Sequence, residues 1–240
     1  MTTIDVKDLG YKELNDELRA ADSVCTLAGC LGQRFIAAGM ADKSIKIEGV
    51  PGNALGAYLN GATINVFANA QDAVGDTMNE GRIIIHGNIG DAAGYAMRGG
   101  EIYVKDNAGY RAGIHMKEYK EKKPVMVIGG ITGSFLGEYQ AGGIIIVLGL
   151  NKGDNRIVGN FPCTGMHGGK MYLRGDVSGI KFPSQVNATK ATAEDIEAIK
   201  PYLDNYCKMF DYKIEDIMSE EFTVIAPDTG NPYRQMYVAN

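Results

Sequence analysis

The chain has 240 residues, 45 % of them apolar, with 24 Lys plus Arg against 29 Asp plus Glu and a formal net charge of −5. That is enough apolar material for one large domain or a capped solenoid, and the acidic balance leaves no basic footprint for nucleic acid. No run of 18 apolar residues occurs, and Met1-Thr-Thr-Ile-Asp-Val-Lys7 lacks the apolar stretch of a secretory leader, so a cytoplasmic protein with no membrane span is expected.

Along the chain, residues 11–21 place Leu14, Leu18 and Ala21 on one helical face. Ser44-Ile-Lys-Ile-Glu48 then alternates as a strand. We expect a helical N-terminal cap over residues 1–43, because the open end of a repeat array exposes unpaired backbone. The array itself announces its period: Gly56, Gly75, Gly94 and Gly113 follow one another at intervals of 19 residues.

Aligned on those glycines, the unit reads roughly G-x-x-G-x-x-x-G-x-x-x-x-G-G-x-I-x-V. Its best copy runs through Gly87, Gly90, Gly94, Gly99, Gly100, Ile102 and Val104, and a second begins at Gly130 and continues through Gly133, Gly137, Gly142, Gly143, Ile145 and Val147. Nineteen residues are too few for a two-helix repeat, and each unit carries one strand with a period of two after its glycine pair. Two and four residues past that pair stand Ile64/Val66, Ile83/Ile85, Ile102/Val104, Val125/Val127, Ile145/Val147 and Met171/Leu173. Every one is apolar, as an internal column stacked from turn to turn requires. The expected fold is a mainly β, right-handed parallel β-helix of about six to seven rungs over residues 44–182. Gly56, Gly75, Gly94, Gly113 and Gly137 are its structural corners, where a positive φ or a close backbone approach excludes a Cβ.

The step lengthens to 24 between Gly113 and Gly137 and to 26 from Gly137 to Cys163. The added residues are assigned to loops at Lys117–Lys123 and Asn151–Arg156. Rungs four and five show Met126, Ile128, Ile144 and Ile146 outward, with Ile84 nearby, where polar residues such as Thr63, Asn65, Glu101 and Tyr103 stand in other rungs. That apolar stripe is a possible partner interface, to be covered by a helix of this chain, by a partner or by a second copy in a homo-oligomer. Beyond the array, Thr192-Ala-Glu-Asp195 has the form of a helix-start box. Pro201 then opens a second helix carrying Leu203, Tyr206 and Met209, within a helical or extended cap over 183–240.

Chemistry-bearing motifs are few. Cys25, Cys30, Cys163 and Cys207 form no C-x-x-C pair, and His86, His115 and His167 fall at different places in the repeat, so neither a metal site nor a catalytic ladder is indicated. The glycines lead into strands and not into a helix, which excludes a dinucleotide fingerprint. Phosphate-loop, nucleophile-elbow and H-E-x-x-H patterns are all missing. Ser134 occupies the repeat position that holds Asp91 and Tyr110 in other turns, and the acids Asp72, Asp76, Asp91, Glu101 and Asp106 are scattered over rung positions. No catalytic residue is assigned.

The repeat, including Gly133-Ser-Phe-Leu-Gly137-Glu-Tyr-Gln-Ala-Gly142-Gly143-Ile-Ile-Ile-Val-Leu-Gly149, resembles the glycine-repeat β-helix at the C-terminal end of the glutamate synthase large subunit, here in stand-alone form. Asp22-Ser-Val-Cys-Thr-Leu-Ala-Gly29 is similar to the segment that precedes the repeats there, and the likeness covers roughly residues 20–180. The resemblance implies a non-catalytic scaffold within an oxidoreductase complex of nitrogen metabolism. It would hold a glutaminase-like amidotransferase subunit and a synthase subunit together for ammonia transfer. No cofactor is expected in this chain; FMN and an iron–sulfur cluster belong to the implied partner subunits. The same repeat is shared with a subunit of formylmethanofuran dehydrogenases, which gives an alternative scaffold reading. A hydrolase with a groove on the β-helix is a third.

Overall fold

A computed structural model describes residues 2–228. Eleven strands form one sheet. Nine of them, β1 (Thr2–Asp5), β2 (Val24–Leu31), β3 (Ser44–Val50), β4 (Asn60–Val66), β5 (Glu80–Ile85), β6 (Glu101–Val104), β7 (Val125–Ile128), β8 (Ala141–Val147) and β9 (Gly168–Arg174), lie side by side in chain order. All their pairings are parallel. Parallel neighbours in unbroken chain order require the chain to return to the same edge after every strand, so the fold is a parallel β-solenoid, of about seven turns. A second ladder of single bridges, Ala70 to Ile89 to Ala108 to Thr132 to Val158, ties the turns on another side.

The core is two columns of apolar side chains. One stacks Cys25, Ile45, Ile64, Ile83, Ile102, Met126, Ile145 and Met171; the other stacks Ile4, Leu27, Ile47, Val66, Ile85, Val104, Ile128, Val147 and Leu173. Three expectations are corrected by this register. The ladder begins at β1 and β2, not at residue 44, and α1 (Tyr11–Ala20) is an insertion between them whose Leu14 and Leu18 close the end of the core. In the fourth rung Met126 and Ile128 point inward and Val125 and Val127 outward, because Pro124 stands where Gly100 and Gly143 stand in the neighbouring turns. With no glycine pair before β7, the repeat pattern read from the sequence falls one residue early there, and a shift of one reverses both faces. Tyr103, expected in water, is fully buried.

What covers the outward stripe is the chain's own C-terminal segment. The outer columns at Ile84, Tyr103, Val125, Val127, Ile144, Ile146 and Tyr172 pack against Ile199, Leu203, Tyr206 and Phe210 of α2 (Ala193–Phe210), with Ile217 of the short α3 (Ile214–Ile217). The Tyr206 hydroxyl donates to the Lys105 carbonyl at 3.0 Å, and Lys170 Nζ meets Asp195 at 2.7 Å. Thr192 and Asp195 form the capping box foreseen at the start of α2. Pro201 does not open a second helix: it sits inside α2 on the exposed side, where water can satisfy the Glu197 carbonyl that its missing N–H leaves free. After α2 the chain adds β11 (Phe222–Pro227) antiparallel to β9, with β10 (Val186–Lys190) outside it. The flanks therefore hold strands as well as helices. Residues 229–240 of the expected C-terminal cap lie outside the described residues.

Opposite the strands, each turn holds three left-handed residues at alternate positions: Phe35/Ala37/Gly39, Ala54/Gly56/Tyr58, Ala73/Gly75/Thr77, Ala92/Gly94/Ala96, Arg111/Gly113/His115, Phe135/Gly137/Tyr139 and Phe161/Cys163/Gly165. The comb glycines are the middle members. Backbone bonds from residue i+3 to i close overlapping turns, such as Ala57 N to Ala54 O (3.2 Å) and Leu59 N to Gly56 O (3.1 Å). Each puts φ > 0 at its third residue, as a type II turn does. The alternation also sends N–H groups both ways along the coil: Ala54 and Tyr58 donate forward to Asp72 and Asp76, and Gly56 donates back to Ile36.

Candidate functional site

The polar side chains of the coil are largely committed to holding turns together. Asn69 Oδ1 accepts from Asn88 N at 2.8 Å, Asn88 Oδ1 from Asn107 N at 3.1 Å, and Asn107 Oδ1 from Ile131 N at 2.8 Å. A parallel column runs from Asn53 through Asp72, Asp91 and Tyr110: Asp72 Oδ1 accepts from Asp91 N at 2.9 Å and Asp91 Oδ1 from Tyr110 N at 2.8 Å. Ser134 continues that column, its Oγ accepting from Asn160 N at 3.0 Å. Its hydroxyl is a rung contact with no histidine beside it in that column. Glu101 accepts from Arg82 Nε at 2.8 Å and from the Tyr103 hydroxyl at 3.0 Å.

The histidines and cysteines are likewise dispersed. His86 stacks on Phe67 at 4.5 Å, meets the edge of Phe210 and bonds Asn65 Oδ1 through Nε2 at 2.9 Å. Its pKa is lowered by burial and, secondarily, by the charge of Lys105. All four cysteines are buried free thiols. Burial pushes Cys30 up to about 11 and Cys163 up to about 12, and it also raises Cys25 and Cys207. Such thiols stay protonated near neutral pH and are poor nucleophiles and poor ligands. Among the described residues no group of three or more His, Cys, Asp or Glu is placed to hold a metal ion, and an iron–sulfur cluster has no thiolate set here.

What remains exposed is aromatic. On the left-handed face of the fourth to seventh turns, Tyr95 meets His115 edge-on at 5.9 Å, and His115 stacks on Tyr139 at 5.2 Å. A second row places the Arg111 guanidinium 4.8 Å over Phe135, which stacks on Phe161 at 5.4 Å. Arg111 Nε also bonds Glu138 at 3.1 Å, joining the rows. Phe161 is 63 % exposed, and Tyr95, Tyr110 and Tyr139 are all well exposed. These rings sit beside or within the left-handed triplets. The face thus gathers aromatic rings, the His115 imidazole and the Arg111–Glu138 ion pair on one side of the coil.

The stripe assigned from sequence lies elsewhere. Ile144 and Ile146 are outward but buried under α2, and Met126 and Ile128 are core. The corner glycines are all left-handed, with φ of 65°, 68°, 66°, 69° and 63° at Gly56, Gly75, Gly94, Gly113 and Gly137. Sequence reasoning missed the aromatic rows, although Arg111, Phe135 and Phe161 stand two residues before Gly113, Gly137 and Cys163, and His115 and Tyr139 stand two residues after the first two of these.

The sequence matches the GXGXG motif family over residues 12–228. The chain belongs to that family. It is the family of the glutamate synthase C-terminal domain. The chain is also 47 % identical over 249 aligned residues to a protein of Methanocaldococcus jannaschii that bears the name uncharacterized protein MJ1350, covering 98 % of this chain and 95 % of the relative. No helix among the described residues is long and apolar enough to cross a membrane.

Proposed function

We propose that this chain is a non-catalytic scaffold of a glutamate-synthase-type complex. It holds a glutaminase-like amidotransferase subunit and an FMN- and iron–sulfur-bearing synthase subunit in register, so that ammonia released at one reaches the other in the cytoplasm. Membership of the GXGXG motif family over nearly the whole described chain carries this reading. The chemistry of the coil is in keeping with it: Asp72, Asp91 and Ser134 are spent on turn-to-turn bonds, and the thiols are buried. FMN and the cluster belong to the partners, and this chain supplies shape.

The test is recovery from the native organism with a tag on this chain at its natural expression level. A glutaminase-like protein and a flavin-containing protein in stoichiometric amounts, with flavin absorbance in the eluate, are expected. Recovery of this chain without either would overturn the proposal.

A further inference from the structure

The Arg111–Phe135–Phe161 row leads into a cleft of about 280 Å³ between the turn that follows the 151–156 insertion and the segment after β9. Arg156, Phe161, Gly179 and Lys181 line it, with Asn160 and Pro162. No carboxylate lines it, although the chain carries five more acids than bases. Arg156 is exposed, and its guanidinium is steered by one bond from Nη2 to Asn160 Oδ1 at 2.8 Å, which leaves most of its donors free for another acceptor. Lys181 is exposed on the other wall. Phe161 ends the stack and is largely exposed, and a Cβ at Gly179 would meet nothing within 4 Å, so the cleft is open above that residue.

Two cations, an exposed ring and no competing acid fit a carboxylate adjoining an apolar ring. We propose that this cleft is a recognition pocket for an acidic residue beside an aromatic one on a segment of a protein partner. The carboxylate bridges Arg156 and Lys181, and the ring continues the Phe135–Phe161 stack. The proposal rests on the scaffold reading only in taking the occupant to be a protein.

The experiment titrates the full chain with the peptide acetyl-Gly-Glu-Phe-Gly-amide and follows the backbone amides of Gly159, Phe161 and Gly179 by NMR. Saturable shifts are expected. They should weaken by about tenfold or more with the Gln counterpart of the peptide, and be lost in Arg156→Gln and in Lys181→Gln at unchanged melting temperature. Absence of shifts, equal shifts from the Gln peptide, or survival of binding in either variant overturns the proposal. Tighter binding of inorganic phosphate than of the Glu peptide overturns it in favour of a phosphate site. Each result is independent of whether the partner subunits co-purify.

Discussion

Two kinds of glycine serve this coil, and they fail differently. A Cβ at Gly75 would lie 2.6 Å from Ile102 Cδ1 on a residue whose φ is +68°, so Gly75→Ala combines left-handed strain with overpacking. We expect a loss of about 2–4 kcal/mol in denaturant unfolding. Ile102→Val removes the obstructing methyl, and the double variant should be less destabilised than the sum of the singles. Gly87 and Gly90 are not left-handed; their missing side chains leave room for Asn69 Oδ1 and Asp72 Oδ1. The G-x-x-G spacing is thus the imprint of two side-chain ladders three residues apart. Asp91→Asn keeps the acceptor for Tyr110 N and should be near neutral, and Asp91→Ala should cost about 1 kcal/mol in thermal or chemical unfolding. The middle glycines were legible because they recur every 19 residues. Their left-handed neighbours Arg111, Phe135 and His115 were not, because outward-pointing Cβ atoms let any residue type stand there.

At the scale of elements, α2 turns the outer apolar stripe of the sheet into a second core. Leu203→Ala, fully buried between α2 and the sheet, should cost about 2–5 kcal/mol. It should also expose the outer stripe to a hydrophobic dye. Tyr206→Phe should cost about 1 kcal/mol by leaving the Lys105 carbonyl without that donor. His86 gives α2 a pH dependence. Its folded pKa lies below the unfolded value, so the unfolded chain binds the proton more readily, and the contribution is present above the unfolded pKa and is lost as pH falls below it. Melting temperatures between pH 8 and 5 should fall more steeply for the native chain than for His86→Gln. The parallel strands from β3 to β9 were readable from their apolar alternation and glycine pairs. The rung at β7 was misregistered because Pro124 replaces a glycine, and β1 and β2 were missed because Ala37 stands at the comb position one period before Gly56.

For the whole molecule, neighbouring turns supply nearly all of each other's hydrogen bonds, so the array behaves as a one-dimensional stack. Excision of residues 42–60, one period long, joins two equivalent positions and lets β2 take β4 as its neighbour. That shortened chain should fold cooperatively, by circular dichroism and thermal unfolding, with one turn fewer. Excision of residues 87–105, also one period, keeps the repeat in phase and yet should abolish cooperative unfolding. The difference lies in α2. Asp195 near its start is tied to Lys170 on β9, and Phe210 at its end rests on His86 just past β5. Fifteen residues of helix advance about 22 Å, and four strand spacings advance about 19 Å. The helix is a ruler laid along the coil: the turns outside its reach are free to vary in number, and the five strands beneath it are counted.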